Sequence, residues 1–505
     1  MVIPTLPISA ADAMLVALVL PVIGMFGIMF AGRQPNLREA VTLSFAGITF
    51  LLCLTVLADV AQGRAPSITL FEVLPGLSIQ LTAEPLGAMF AVIASGLFIV
   101  NSLYSIGYMR TNKEKHQTRF YMCFAVAIAA AVGIAFAGNL LTFFTFYEIL
   151  TLSTFPLVTH KRDKKARAGG RIYLGILIGT SIGLLLPAII WTYVMTGTTD
   201  FTPGGIMGEA ADMYGAVPVI LLGLYLWGIG KAALMPGHPW LPNAMVAPTP
   251  VSAFLHAVAV VKAGVFGVLK VCVYIFSIDY LEQSGATDIF LWIAGASILI
   301  SSAIAMTQDN LKARLAYSTV SQLSYVTLGA MLATKMGVMG GATQVAAHAL
   351  GKMTLFMCAG AIYTAAHKSL ISEMRGTGRT MPYTWIAYII GACSIIGLPP
   401  MAGSWPKFYL MLGAVDRGTL FLLVVLIVSS LMNIVYLLAP AVRAFMDPPP
   451  GGSTQGSGAT GGVVIAEAPL FCLVPAWLTA IGTLLLFYFM SHVVSFLTPI
   501  IGAGS

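Results

Sequence analysis

Positively charged side chains occur inside long apolar stretches of this sequence. The stretch 227–266 holds Lys231, then a cluster of prolines, and then an apolar run that carries His256 and Lys262. An ammonium group at the centre of a bilayer costs about 2.5–3.5 kcal/mol on insertion scales, so such a residue first indicates a function. Prolines that interrupt a membrane helix free backbone polar groups, which must then face protein or water. The stretch therefore predicts a buried, hydrated ion path; the alternative is that these groups only satisfy one another in a packed bundle.

Further ionisable residues in apolar runs extend this set. Lys352 follows His348 by four residues, which places both on one face of a helix. Lys407 lies in another proline-containing run, and Glu148 is the one acidic residue near the middle of a run. One carboxylate cannot neutralise four buried ammoniums, so some of the lysines must be neutral, hydrated, or paired with acids of another chain. A lysine that alternates between its charged and neutral forms can pass a proton on.

Polar residues in a third run could continue such a path. The candidates for a hydroxyl and water wire are Tyr317, Ser318, Ser321 and Gln322. Hydroxyls, waters and imidazoles each donate and accept hydrogen bonds, so a chain of them can conduct protons. Hydrogen bonding that only joins helices is an equally good interpretation. His256 and Lys262 lie about 240° apart around a helix, so we expect them to serve different neighbours rather than each other.

The elements that must position these residues are membrane helices. Of the 505 residues, 58% are hydrophobic and 9% charged, which is more apolar surface than a soluble domain of this length could bury. The apolar runs are about 20 residues long and do not alternate in polarity, so they predict helices rather than a barrel. We count about fourteen spans, and the run 381–414, with three prolines, predicts a broken helix. The sequence therefore predicts an all-α integral membrane protein.

The placement of lysine and arginine predicts the orientation of the chain. Loops after the odd-numbered spans hold 18 of the 26 basic residues, and loops after the even-numbered spans hold three. Because basic loops stay in the cytoplasm, both termini are expected outside. The basic segment 160–171 is interpreted as a topology signal, with an anionic lipid or a partner subunit as the weaker alternative. The net charge of +7 therefore needs no nucleic-acid partner as its explanation.

The remaining segments predict structure rather than chemistry. Residues 67–84 alternate around a Pro-Gly turn and predict a short external β-hairpin, and residues 447–462 predict a flexible cytoplasmic loop. Six cysteines, scattered singly in apolar runs, predict buried small hydrophobes. The sequence has no nucleotide-binding glycine loop, iron–sulfur pattern or metalloenzyme motif, so we expect no cofactor, no metal and no active site of its own. An ion gradient or a partner must then supply the driving force.

Four motifs, in this order, resemble a known family. They are HPWLPNAMVAPTPVSAFLHAVAVVKAG at 238–264, DNLKARLAYSTVSQLSY at 309–325, HALGKMTLF at 348–356 and GLPPMAGSWPK at 397–407. This set is similar to the proton-conducting antiporter-like subunits of respiratory complex I, membrane-bound hydrogenases and Mrp-type sodium/proton antiporters. Within that superfamily, the lysine at 407, the total length and the short C-terminus are most similar to the D-type subunit of Mrp antiporters.

The resemblance implies fourteen helices with two inverted five-helix repeats, in which helices 7 and 12 are broken. It divides the chain into helices 1–3 with the hairpin (1–116), a first repeat (117–275), a second repeat (287–446), and a loop with the last helix (447–505). The sequence departs from the family pattern at Gly351 and at Ala402-Gly403-Ser404, where we expect looser local packing. Both departures leave the ionisable positions intact.

The resemblance also implies a role for each ionisable residue. These roles are Glu148 and Lys231 as a switching ion pair, Lys262 and His256 as carriers toward the centre, His348 and Lys352 as their continuation, and Lys407 as the gate on the exit side. The resulting expectation is a proton-translocating subunit of a multisubunit monovalent cation/proton antiporter in a bacterial or archaeal-type inner membrane. Its partners would be other membrane subunits and the lipid bilayer, and its cargo protons, with Na⁺ as a further candidate.

Three alternatives remain open at this point. The first is an antiporter-like pumping subunit of a redox complex, either a complex I-like NADH:quinone oxidoreductase or a membrane-bound hydrogenase. The second is a membrane subunit of an inorganic-carbon uptake complex. The third, from a different class, is a scaffold that conducts nothing.

Overall fold

The computed structural model describes residues 4–74, 76–208, 216–448 and 465–502, and these form a helical bundle. The helices of the first half are α1 Ala10–Phe30, α2 Pro35–Val60, α3 Pro85–Thr111, α4 Gln117–Ala135, α5 Leu140–Val158, α6 Lys164–Thr180, α7 Leu186–Thr196, α8 Val217–Gly228, α9 Trp240–Asn243, α10 Thr249–Ala253 and α11 Val260–Val271. Those of the second half are α12 Ile278–Ser284, α13 Asp288–Thr307, α14 Leu311–Met331, α15 Lys335–Ala366, α16 Thr377–Thr380, α17 Pro382–Ile396, α18 Ser404–Asp416, α19 Leu420–Met446 and α20 Leu470–Leu497. A π-helical turn, Ser181–Leu185, joins α6 to α7 without a break, and another, Phe254–Val258, connects α10 to α11 through a bend at Ala259.

Eleven helices in the described part of the chain are long and apolar enough to cross a membrane. Most of these helices have one face on which apolar side chains are exposed, as expected for contact with lipid. Two differ: the most apolar stretch of the segment Thr249–Phe276 is 100% buried, and that of α15 is 94% buried. Helix α15 packs against α10, α14, α17, α18 and α20. These two central helices carry four of the predicted ionisable residues.

Both predicted helix interruptions are present. Helix α8 ends at Gly228 and is followed by a single 3₁₀ turn, Gly230–Ala232, before α9 begins at Trp240. Helix α17 ends at Ile396, and α18 begins at Ser404. Prolines in both gaps lack the N–H that donates along an α-helix, and their grouping disfavours an unbroken helix there. The count of fourteen spans, the inverted repeats and the four-part division of the chain stay predictions.

The predicted hairpin is also present, although its turn residue Pro75 lies outside the described residues. Strand β1, Ser67–Leu74, pairs antiparallel with β2, Leu77–Thr82. The side chain of Asn139 donates to the carbonyl of Ser78 at 2.8 Å, which fastens the hairpin to the start of α5. The predicted flexible loop 447–462 falls, from residue 449 onward, outside the described residues.

The prediction for the cysteines holds for four of the six. Cys53, Cys272, Cys358 and Cys472 are buried, as expected for small hydrophobes. Cys123 and Cys393 are only half-buried, because each lies on a face of its helix that the bundle does not fully cover. All six thiols are free.

Candidate functional site

The predicted ionisable residues are almost all buried. Lys231, His256, Lys262, His348 and Lys352 are at most 1% exposed, and Lys407 is 7% exposed. Glu148 is half-buried. We call Lys231, Lys262, Lys352 and Lys407 the lysine row. The hydrogen-bond partners of each ammonium group determine which chemistry the row can support.

Lys231 lies in the first helix interruption and takes all its partners from α5. Its Nζ donates to the carbonyl of Tyr147 at 2.8 Å and to Thr151 Oγ1 at 2.6 Å. Its backbone N–H donates to the Tyr147 hydroxyl at 3.0 Å. Helix α11 lies directly against this turn: a Cβ on Gly264 would lie 2.2 Å from the Ala232 nitrogen. Only glycine fits at position 264, so the sequence itself keeps α11 close to Lys231.

Glu148 does not pair directly with Lys231 in this structure. No ion pair between them occurs among the described residues, although Glu148 follows Tyr147 on the same helix. The carboxylate lies close enough to Lys231 for the two charges to interact, but outside ion-pairing distance. One carboxylate oxygen, Oε1, is buried without a hydrogen-bond partner in the described part of the chain. The role of Glu148 as a switching partner stays a prediction.

Lys262 and His348 meet between the two central helices. Lys262 Nζ lies 2.6 Å from His348 Nδ1, so one proton can be shared between an amine and an imidazole. The opposite ring nitrogen, His348 Nε2, has no partner among the residues described. His256 does not contact Lys262, in agreement with its spacing; both its ring nitrogens are buried without a described protein partner, and its ring packs 4.8 Å from that of Phe356. Buried polar atoms of this kind commonly bind water.

Lys352 connects α15 to two further helices. Its Nζ donates to Ser318 Oγ at 2.7 Å and to the carbonyl of Leu315 at 3.2 Å, both on α14. The Tyr436 hydroxyl of α19 in turn donates to Ser318 Oγ at 3.1 Å and contacts the Asn433 side chain. The contacts of Lys352 therefore continue across α14 into α19.

The predicted wire residues take three different places. Ser318 binds Lys352, and Ser321 Oγ lies 3.0 Å from Ser302 Oγ, which lies 3.3 Å from Ser429 Oγ of α19. Gln322 accepts a hydrogen bond from Gln344 of α15 at 2.8 Å. Tyr317 lies apart from these, with its ring 6.2 Å from that of His238. Ser318 and Ser321 belong to one polar network with α19, and Tyr317 does not contact it.

Lys407 lies just after the second helix interruption. Its Nζ donates to the carbonyl of Ile396, the last residue of α17, at 2.6 Å and to Ser430 Oγ of α19 at 2.9 Å. Gly397 ends α17 with φ +90°, and a Cβ there would lie 2.7 Å from Lys407 Cδ. The lysine side chain therefore fills space that only a glycine leaves open.

The two departures from the family pattern do not loosen the packing, so that expectation is wrong. A Cβ on Gly351 would lie 2.9 Å from Ile395 Cδ1, because α15 approaches α17 closely at this point. A Cβ on Gly403 would lie 1.8 Å from the Ser394 carbonyl oxygen. Small residues allow close helix contact here.

Lys270 does not snorkel, contrary to what its position near a span end suggests. It is 1% exposed, forms a 3.4 Å ion pair with Glu84 Oε1, and donates to the carbonyl of Ala137 at 2.6 Å. Tyr274 donates to Glu84 Oε2 at 2.9 Å. The sequence gives little sign of this pair, because Glu84 precedes α3 and reads as a loop residue.

Sequence reasoning also missed Thr151, which binds Lys231, and Ser430, which binds Lys407, as well as the α19 side chains that extend the contacts of Ser318 and Ser321. On α19, Ser429, Asn433 and Tyr436 are spaced by four and three residues, and all are buried. That helical spacing of polar residues on one face was the available signal. Thr151 on α5 carries the same signal, since Tyr147, Thr151 and Thr154 are also spaced by four and three residues and are buried. No cluster of three or more metal-binding side chains occurs in the described ranges.

Fold and site together define a polytopic helical membrane protein with a row of buried lysines that crosses from one broken helix to the other. The family model for the transmembrane region of NADH:quinone oxidoreductase and Mrp antiporter subunits matches residues 137–433, more than half of the chain. The chain belongs to this family. All residues of the lysine row lie within the matched region.

Similar proteins agree with this assignment. NADH-quinone oxidoreductase subunit N of Desulforudis audaxviator is 28% identical over 491 residues, which cover 94% of this chain and 97% of that protein. NAD(P)H-quinone oxidoreductase subunit 5 of Paulinella chromatophora is 30% identical over 79% of this chain, but the match spans only 62% of that longer protein. In the Mrp complex from Dietzia sp., one chain matches with a TM-score of 0.86 and 20% identity over 98% of this chain and 97% of that one. This chain is thus an antiporter-like, multi-pass membrane subunit of Mrp or complex I-like assemblies, which confirms the resemblance seen in the sequence.

Proposed function

We propose that this chain conducts protons as the D-type subunit of an Mrp-type monovalent cation/proton antiporter in a bacterial or archaeal-type inner membrane, with both termini outside. The observation that carries the proposal is the environment of Lys231, Lys352 and Lys407. Each ammonium donates to one main-chain carbonyl and one side-chain hydroxyl. For none of the three does a described carboxylate lie within ion-pairing distance.

Such an environment suits a group that gains and loses a proton. A carboxylate partner would hold a lysine in its charged form. A hydroxyl can accept from the ammonium and donate to the neutral amine, so either state of the lysine keeps a hydrogen bond. This tolerance of both states is what a proton relay requires, and a static structural lysine does not need it.

The contacts form a lateral path through the bundle. Lys231 lies against α11, which carries Lys262; Lys262 reaches His348 on α15. One helical turn later on α15, Lys352 donates to Ser318, which in turn is hydrogen-bonded to Tyr436 of α19. Helix α19 supplies Ser430 to Lys407. Water would complete the steps between these contacts.

The test is cation-driven proton exchange in membrane vesicles that contain the assembled complex. We expect Lys231→Ala and Glu148→Ala each to abolish exchange while the subunit still assembles, since one removes a carrier and the other the acid beside it. Assembly is checked by co-purification of the other membrane subunits. Wild-type exchange rates in both variants would contradict the proposal.

A pumping subunit of a redox complex is the second candidate. It is favoured by the match to a quinone oxidoreductase subunit along nearly its whole length. The lysine row would work in the same way, with electron transfer in other subunits as the driving reaction. Purification of this chain together with flavin or iron–sulfur subunits would select this candidate over the antiporter.

A further inference from the structure

Four arginines line one cavity at the end of the bundle where α5 ends and α6 begins. The cavity has a volume of about 450 Å³ and is lined by Arg119, Arg162, Arg167, Arg171, Phe155 and Thr159. Arg167 and Arg171 are four residues apart and therefore project from the same face of α6. The start of α4, the loop between α5 and α6, and the first turns of α6 thus contribute arginines to one cavity.

The positive charge in this cavity is not neutralised by the described protein. No ion pair among the described residues includes any of the four arginines. Asp163, the nearest acid in sequence, uses Oδ1 to accept from the Ala166 N–H at 2.6 Å and so caps α6. Arg119 donates to the carbonyl of His160 at 3.2 Å. The pKa of His160 is lowered to about 4, mainly by burial and secondly by the positive charge of Arg119.

The two helices that line the cavity, α5 and α6, also expose apolar side chains, which suit contact with acyl chains. Phe155 forms part of its wall, and Leu152 and Ile149, within the preceding two turns of α5, are 58% and 36% exposed. On α6, Ile172 is exposed directly beside Arg171. A phospholipid has the same arrangement, with an anionic phosphate at the end of two hydrocarbon chains.

We propose that this cavity binds the phosphate headgroup of an anionic phospholipid whose acyl chains lie along α5 and α6. Guanidinium groups recognise phosphate oxygens with paired, charge-assisted hydrogen bonds, and arginine clusters at the cytoplasmic edge of membrane helices attract anionic lipids. A soluble phosphate would share the headgroup chemistry but would leave the adjoining apolar face uncovered. The proposal does not depend on proton conduction by the lysine row.

The experiment compares two double variants of the full-length chain in its complex. Arg167→Gln/Arg171→Gln removes two charges from the cavity. Lys113→Gln/Lys164→Gln removes two charges from exposed residues nearby that line no described cavity, and serves as the matched control. Each protein is placed in phosphatidylcholine nanodiscs that contain an increasing fraction of phosphatidylglycerol. Native mass spectrometry counts the bound lipid molecules, and Tm is recorded for the same samples.

We expect phosphatidylglycerol to bind and to raise Tm in the wild type and the lysine control, and the arginine variant to bind it at least tenfold more weakly. The arginines make no described ion pair, so their loss should not prevent folding. Equal binding in all three proteins would overturn the proposal. An equal rise of Tm with inorganic phosphate alone would also overturn it, because the cavity would then bind a soluble anion. A crosslink from position 167 to an acidic subunit would overturn it as well, because the cavity would then bind a protein partner.

Discussion

Two lysines on one helix segment show how different buried ammonium groups can be. Lys262 and Lys270 lie eight residues apart on α11, and both are buried. Lys262 faces the imidazole of His348, whereas Lys270 has a carboxylate, Glu84, and a main-chain carbonyl. An imidazole can exchange its proton with the amine, but a carboxylate keeps the lysine charged. The partner of a buried lysine, rather than its burial, therefore distinguishes a proton carrier from a structural ion pair.

The same distinction separates the lysine row from the Lys270 region. Glu84 also caps the start of α3 through the N–H groups of Leu86 and Gly87, so the ion pair joins α3, α11 and the loop before α5. Among the described residues, no acid lies within ion-pairing distance of any member of the lysine row. We therefore expect substitutions in the row to change transport, and substitutions around Lys270 to change stability.

The largest effect on transport is expected from Lys262→Met. Methionine keeps the length of the side chain but cannot carry a proton, so exchange in vesicles should fall to background. The matched control is Lys270→Met on the same helix, for which the rate per assembled complex should stay within about twofold of wild type, or roughly 0.4 kcal/mol of barrier. Equal losses of exchange in the two variants would show that the partner of a buried lysine does not decide whether the lysine carries protons.

A smaller effect is expected from Tyr436→Phe. This change removes the hydroxyl that joins Ser318 to α19 and leaves the ring in place. One lost hydrogen bond, worth about 1 kcal/mol, corresponds to exchange slower by about fivefold. Tyr121→Phe is the control, since its buried hydroxyl has no described partner and its loss should leave the rate unchanged. A normal rate in the Tyr436 variant would remove the contact between Ser318 and Tyr436 from the path.

The smallest effect on transport, and the largest on stability, is expected from Glu84→Gln. It leaves Lys270 buried without its counter-charge, which costs about 3–5 kcal/mol of unfolding free energy. Denaturation followed by tryptophan fluorescence measures this loss. Asp59→Asn breaks the pair with the exposed Arg64 and should cost about 0–1 kcal/mol. Transport per folded complex should survive both changes; a stable Glu84 variant that fails to transport would place the pair in the proton path.

The sequence predicted the broken helices and the lysine row because each rests on a strong local signal. Clustered prolines interrupt a helix, although single prolines lie inside α1, α5, α19 and α20, and a lysine in an apolar run is rare and costly. The partners were less visible, since the carbonyls of Tyr147, Leu315 and Ile396 belong to the backbone and appear in no motif. The side chain of Glu148 illustrates a second limit: whether a carboxylate reaches its expected partner depends on its direction from the helix, which spacing alone does not give.

The burial of α15 and of the segment around α11 has one more consequence. Both helices are enclosed by protein along nearly all of their apolar length, so a change in bilayer thickness acts first on the helices around them. The distance between Lys262 and His348 is set inside that enclosure. We therefore expect lipid tail length to alter how the subunit assembles and how long it survives, while the intrinsic rate of proton transfer between these two groups stays the same from one membrane to another.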